Sequence, residues 1–270
     1  ATINVEADIN DDVDFGTYSG IVTVKDLLQN TQATFKLSIK VEPENCSDGV
    51  VSDGTSGGSN LVLDVKEPDS GDKFAPNEEI TLQVKVDNND NDDLDVVLSV
   101  FLFDLTEDEI LVEAESESIN IENGKDEDFE LTLKVPTDVD VDNEFSIFIK
   151  AFEDSNEDEN CGESRQDVDL RRESNSVAIE KVTFTPSTLA CGETFDASVD
   201  VLNIGTSKED VSVRLFDDEL KIDLTSNDLT LDKFGGKNDE STVRFRDVKV
   251  PSNIAQNQYQ VEAILTFDND

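Results

Sequence analysis

Thr81-Leu82-Gln83-Val84-Lys85-Val86-Asp87 decides the fold. Leu82, Val84 and Val86 fall on one side of an extended chain and their polar neighbours on the other, because side chains along a strand alternate between faces. Such a segment buries one face and wets the other. Working outward, the same alternation recurs in Leu61 to Val65, Ile80 to Val86, Leu94 to Phe103, Ile110 to Ala114, Phe129 to Val135, Phe145 to Phe152 and Val168 to Leu170. The intervening stretches Pro68-Asp69-Ser70-Gly71, Asp87 to Asp93, Glu122-Asn123-Gly124 and Asp154 to Asn160 are rich in turn-forming residues. No segment carries a long apolar stripe at helical spacing.

Seven short strands with turns at near-regular intervals predict an all-β chain of antiparallel, immunoglobulin- or fibronectin-like two-sheet sandwiches. The pattern repeats. Leu133-Lys134-Val135-Pro136 followed by Glu144-Phe145-Ser146-Ile147 matches Val248-Lys249-Val250-Pro251 followed by Gln258-Tyr259-Gln260-Val261. It also matches Val5 to Asn10 followed by Thr17-Tyr18-Ser19-Gly20. In each copy a strand ends, a turn follows, and an aromatic opens the next strand, where sandwiches place a corner tyrosine. The expected organisation is therefore tandem. Residues 1–45 hold the last three strands of a first sandwich (Ile3 to Ala7, Ile21 to Val24, Phe35 to Val41), and 46–59 form a Gly/Ser/Asp linker. Residues 60–174 make a complete seven-strand sandwich, and 175–270 make another that is expected to lack its last strand.

The last module opens with Val177-Ala178-Ile179-Glu180-Lys181-Val182-Thr183-Phe184. The loop Thr185-Pro186-Ser187 leads on to Cys191-Gly192-Glu193-Thr194-Phe195-Asp196-Ala197-Ser198-Val199-Asp200-Val201-Leu202-Asn203-Ile204-Gly205. This strand, loop and strand ending in a turn resembles the CARDB modules, immunoglobulin-like repeats of prokaryotic cell-surface proteins. The whole chain is similar to the acidic S-layer proteins of small, DPANN-type archaea. The resemblance implies an extracellular, cell-surface setting and a structural, self-associating role.

Composition narrows the function classes. Asp and Glu number 64 against 21 Lys and Arg, giving a net charge of −43, which excludes nucleic acid and anionic membrane as direct partners. No apolar run approaches membrane-spanning length, and no signal peptide is visible at Ala1, which fits the expectation of a mature or trimmed start. With 0 histidines there is no Ser-His or Cys-His pair. No Gly-Lys-Ser/Thr phosphate loop is present either, so an enzyme is not expected.

Carboxylates cluster in two places where structural calcium is a possible ligand. The first set, Asp87, Asn89, Asn91, Asp92 and Asp93 with Asp154, Asn156, Asp158 and Glu159, falls on two loops that share one end of an immunoglobulin topology. The incoming linker, with Glu44, Asp48 and Asp53, reaches the same end. The second set is Asp138, Asp140 and Asp142, at the opposite end. None completes an EF-hand: each run lacks glycine at the sixth position and glutamate at the twelfth. The bland alternative is a solvated acidic surface. Cys46 and Cys161 fall at one predicted end, so a disulfide between them is expected in an oxidising compartment, with buried thiols as the alternative. Cys191 is expected to be free or to pair outside these residues. Asn45-Cys46-Ser47 is a glycosylation sequon. The expected role is a non-enzymatic, S-layer-like lattice protein binding copies of itself and divalent cations. The alternatives are an extracellular filament built by strand donation and the spacer stalk of an adhesin.

Overall fold

The computed structural model describes residues 16–25, 32–41, 46, 60–157 and 159–267, and every regular element among them is a β-strand. Strands β1 (Gly16–Lys25) and β2 (Gln32–Val41) form an antiparallel hairpin with Gly16 opposite Val41 and Lys25 opposite Gln32. They contain the expected segments Ile21 to Val24 and Phe35 to Val41. Ile3 to Ala7 lies outside the described residues.

Nine strands follow between residues 60 and 172: β3 (Leu61–Glu67), β4 (Lys73–Phe74), β5 (Glu79–Asn88), β6 (Leu94–Asp104), β7 (Glu109–Glu115), β8 (Ile119–Ile121), β9 (Asp126–Lys134), β10 (Phe145–Glu153) and β11 (Cys161–Leu170). One sheet has the order β3-β5-β9; the other runs β4-β11-β10-β6-β7, with β8 also on β6. Burial alternates as the sequence requires: Ile80, Leu82, Val84 and Val86 of β5 face inward, as do Val96, Leu98, Val100 and Leu102 of β6 and Ile147 and Ile149 of β10. These are the two inner faces of a sandwich.

Two strands were absent from the seven-strand expectation. At two and three residues, β4 and β8 are too short to display alternation. The last strand is also longer than Val168 to Leu170. From Cys161 to Asp167 it reads Cys-Gly-Glu-Ser-Arg-Gln-Asp, with no apolar period, yet it pairs with β10 from Cys161 opposite Phe152 to Val168 opposite Phe145. The inward volume there is filled by main chain instead of side chain: a Cβ on Gly162 would lie 2.3 Å from the Leu61 carbonyl oxygen. Val135, expected to close the fifth strand, lies just past β9.

The remaining strands are β12 (Val177–Thr185), β13 (Thr194–Asn203), β14 (Glu209–Asp217), β15 (Ile222–Thr225), β16 (Leu229–Leu231), β17 (Glu240–Lys249) and β18 (Glu262–Phe267). One sheet is β12-β13-β17, and the other is β15-β14-β16 with β18 paired to β14. Phe195, Ala197, Val199 and Val201 of β13 and Val211, Val213 and Leu215 of β14 share one core. The Tyr259 hydroxyl donates to the Ala255 carbonyl at 2.7 Å, closing the turn before β18 as a tyrosine corner does.

The β3–β11 and β12–β18 sandwiches repeat each other in their local polar devices as well as their strands. Glu78 Oε2 accepts from the Ala75 amide at 2.7 Å, and Glu193 Oε2 from the Ala190 amide at 2.9 Å. Ser116 Oγ accepts from the Leu98 amide at 2.9 Å, and Ser226 Oγ from the Val213 amide at 3.0 Å. Asp104 and Asp217, both buried, each accept backbone amides of the turn that follows their strand. A cis proline follows the first strand in both, at Glu67-Pro68 and Thr185-Pro186. Backbone amides are satisfied by side-chain oxygens in the same local way in both sandwiches.

Packing divides the chain into two compact units. One comprises Ala1–Asp72, Glu79–Lys134 and Asn143–Asp169; the other comprises Lys73–Glu78, Val135–Asp142 and Leu170–Asp270.

Candidate functional site: stapled junction loops

The linker ahead of β3 is covalently fastened. Cys46 and Cys161 form a disulfide with a Cα–Cα distance of 5.9 Å, and both cysteines are buried. The Cys46 amide donates to Glu163 Oε2 at 2.9 Å. Three consecutive residues opening β11 thus hold neighbouring chain: Cys161 by a bond, Gly162 by its close approach to Leu61, and Glu163 by a hydrogen bond. Cys191 is a free, exposed thiol whose Sγ donates to the Ile254 carbonyl at 3.5 Å.

Asn60, the last residue before β3, ties the two junction loops together. Its side-chain amide donates to Asp90 Oδ2 in one loop and to Asn160 Oδ1, at 3.1 Å, in the other. The loop after β5 is built on Asn88, which is fully buried. Asn88 Nδ2 donates to the carbonyls of Asp92 at 3.0 Å and Ile121 at 2.9 Å, while its Oδ1 accepts from the Asp90 amide at 2.8 Å. Asn203 repeats this in the other sandwich, donating to the Ser207 carbonyl at 2.8 Å and accepting from the Gly205 amide at 2.9 Å. A β-turn needs its amides satisfied, and one asparagine supplies both donor and acceptor.

The acidic side chains named from sequence are placed as follows. Asp87 is not in the loop; it is within β5 and pairs with Lys85 at 3.2 Å, so the strand runs farther than the charge run suggests. The Asn89 amide donates to the Asn60 carbonyl at 2.7 Å, and the Asn91 carbonyl accepts from Asn123 Nδ2 at 2.5 Å. The Asp92 amide donates to Asp90 Oδ1 at 3.0 Å, and Asp93 Oδ1 accepts from the Asn123 amide at 2.9 Å. In the loop after β10, Asp154 Oδ1 accepts from Ser155 Oγ at 3.3 Å. Asn156 Nδ2 donates to Glu153 Oε2 at 3.0 Å and Glu159 Oε2 at 3.1 Å. Asp158 and Asn45 lie outside the described residues. Many of these groups close their own turns, and among the described residues no group of three or more Cys, Asp or Glu side chains is arranged to hold a metal ion.

At the second cluster the Asp142 amide donates to Asp140 Oδ1 at 3.2 Å. The nearby cation is Arg172, which the sequence reading did not single out. Burial lowers its affinity for the proton, and Asp140 and Asp138 push it back up. Asn88 and Asn203 were also missed. Their signal was an asparagine closing each copy of the second strand, in Val86-Asp87-Asn88 and Val201-Leu202-Asn203.

No family model and no curated protein matches this chain. Among solved structures it is similar over 92% of its length to red sea bream transglutaminase, at 14% identity and a TM-score of 0.30, covering 35% of that chain. Over 51% of its length it is similar to a putative beta-galactosidase from Bacteroides fragilis, at 13% identity and a TM-score of 0.28, covering 18% of that chain. Over 43% of its length it is similar to a CARDB domain from Pyrococcus furiosus, solved in complex with di-metal ions, at 12% identity and a TM-score of 0.28, covering 95% of that domain.

Proposed function

We propose that this chain is a non-enzymatic structural segment of an extracellular, cell-surface protein, in which tandem sandwiches assemble with copies of themselves into an S-layer-like lattice. The observation that carries the setting is the Cys46–Cys161 disulfide, because such a bridge persists in oxidising compartments and is rare in reducing ones. The duplicated sandwich supports the structural role: the same core and the same polar devices recur where a modular string needs repeating, stable units. The absence of histidine supports a non-catalytic reading, together with junction carboxylates, Asp90 and Asp154, that accept bonds from their own turns.

Under this reading the modules are of the CARDB-like kind carried by surface proteins of small, DPANN-type archaea. Copies repel one another strongly at a net charge of −43, so lateral contact requires a cation. Calcium is the cation proposed, held between copies by loop carboxylates such as Asp92, Asp93 and Asp154. Electron microscopy of the protein in millimolar-range calcium and then in chelator tests this. Ordered sheets that form with calcium and dissolve in chelator are expected. Dispersed single particles under both conditions, or fibres that persist in chelator, would contradict a calcium-bridged lattice.

A further inference from the structure

Residues 171–176, Arg-Arg-Glu-Ser-Asn-Ser, join β11 to β12 and by composition read as a flexible polar linker. Their backbone is nevertheless held. The Glu173 carbonyl accepts from the Thr206 amide at 2.9 Å, the Ser174 carbonyl from the Ser207 amide at 2.9 Å, and the Ser176 carbonyl from the Ile204 amide at 3.0 Å. Gly205 sits so close to this segment that a Cβ would lie 2.7 Å from the Ser174 carbonyl oxygen and 2.8 Å from the Ser176 nitrogen. The Phe234 amide in turn donates to the Gly205 carbonyl at 3.0 Å.

Arg172 sits at the centre of this arrangement. Its Nη1 donates to the carbonyls of Thr137 and Ile204, each at 3.1 Å, and its Nη2 to the carbonyl of Val139 at 2.6 Å. The guanidinium carbon lies 3.2 Å from the centroid of the Phe234 ring. Three converging carbonyl oxygens beside Asp138 and Asp140 form the oxygen-rich setting that a hard cation takes. Here a planar guanidinium takes it, bonding along its edges and stacking on its face, which a lysine ammonium cannot do together.

We propose that Arg172 is a resident cation that locks residues 171–176 to the β13–β14 turn and to the 137–139 segment, all within one compact unit, without a bound divalent ion. The proposal is independent of whether the chain builds a surface lattice, since it concerns contacts within one compact unit of one chain.

Amide hydrogen exchange on the full chain tests it, in calcium and in EDTA. The Thr206 and Ser207 amides are expected to exchange equally slowly in both solutions. In Arg172→Ala they speed up by about tenfold or more while the Val199 amide in β13 stays protected, because local opening is separable from global unfolding. Phe234→Ala, which keeps the guanidinium but removes its stacking partner and that ring's packing on Ala178, Leu202 and Ile204, gives a smaller rise in the same direction and decides the matter should Arg172→Ala also open Val199. Unchanged exchange at Thr206 and Ser207 in these variants would overturn the proposal. So would loosening of the unaltered protein by EDTA.

Discussion

Replacing Cys46 and Cys161 together by serine is expected to destabilise the β3–β11 sandwich by about 2–5 kcal/mol. The bridge spans a sequence separation of 115 residues, and closing so long a loop removes a large share of the unfolded chain's conformational freedom; the chain-entropy model puts this at about 4–5 kcal/mol. The cost should appear in full because both sulfurs are buried, leaving two hydroxyls in a site shaped for a covalent bond. Denaturation with and without reductant checks it: reduced unaltered protein and the double serine variant should share one lowered midpoint. Tyr259 belongs to the β12–β18 sandwich, so with Tyr18, the other tyrosine, changed to phenylalanine, its fluorescence transition should stay in place and separate the two modules. A shift below about 0.5 kcal/mol, the range of an ordinary surface substitution, would mean that the linker is not fastened by this bond.

Asn88→Ala and Asn203→Ala form the second large prediction. Truncating Asn88, itself fully buried, strips the partner from the buried Ile121 carbonyl and from the half-buried bonds to the Asp92 carbonyl and the Asp90 amide. Each buried group left unsatisfied costs about 1–3 kcal/mol, so a loss of about 2–4 kcal/mol is expected. Asn203 donates to one carbonyl and accepts one amide, and its loss should be smaller. The isosteric Asn88→Asp should be no milder than alanine, because it turns a carboxylate oxygen toward two carbonyl oxygens that need a donor. Urea midpoints followed module by module would check this. Equal, negligible effects at both positions would show that the turns hold without their asparagines.

What the sequence made legible follows from one physical fact: a half-buried strand writes its burial into every second residue. Leu82-Gln83-Val84-Lys85-Val86 does so plainly, and β5 is found where the alternation places it. The hidden elements are those in which side-chain burial does not write the signal. In β11 the inward volume belongs to Gly162 and a disulfide, and β4 spans two residues. The candidate site was legible in outline, because loop position follows from topology: Asn60 does join Asp90 and Asn160. Its detail was not. In a chain with 64 carboxylates an acidic cluster carries little information, whereas the neutral Asn88 and Asn203 and the cation Arg172 organise the turns. Their importance arises from carbonyls that converge only in three dimensions.

The measurement that tests the stapled, modular account most directly is single-molecule stretching of the chain from its two ends, in oxidising buffer and then in reductant. The disulfide encloses a sequence separation of 115 residues, which at about 3.5 Å per extended residue is roughly 400 Å of chain. The account predicts that oxidised molecules show the β12–β18 sandwich opening as its own step, with those roughly 400 Å withheld. Reductant then releases them as a separate event. Identical traces in the two buffers, or a single concerted step for both sandwiches, would contradict it.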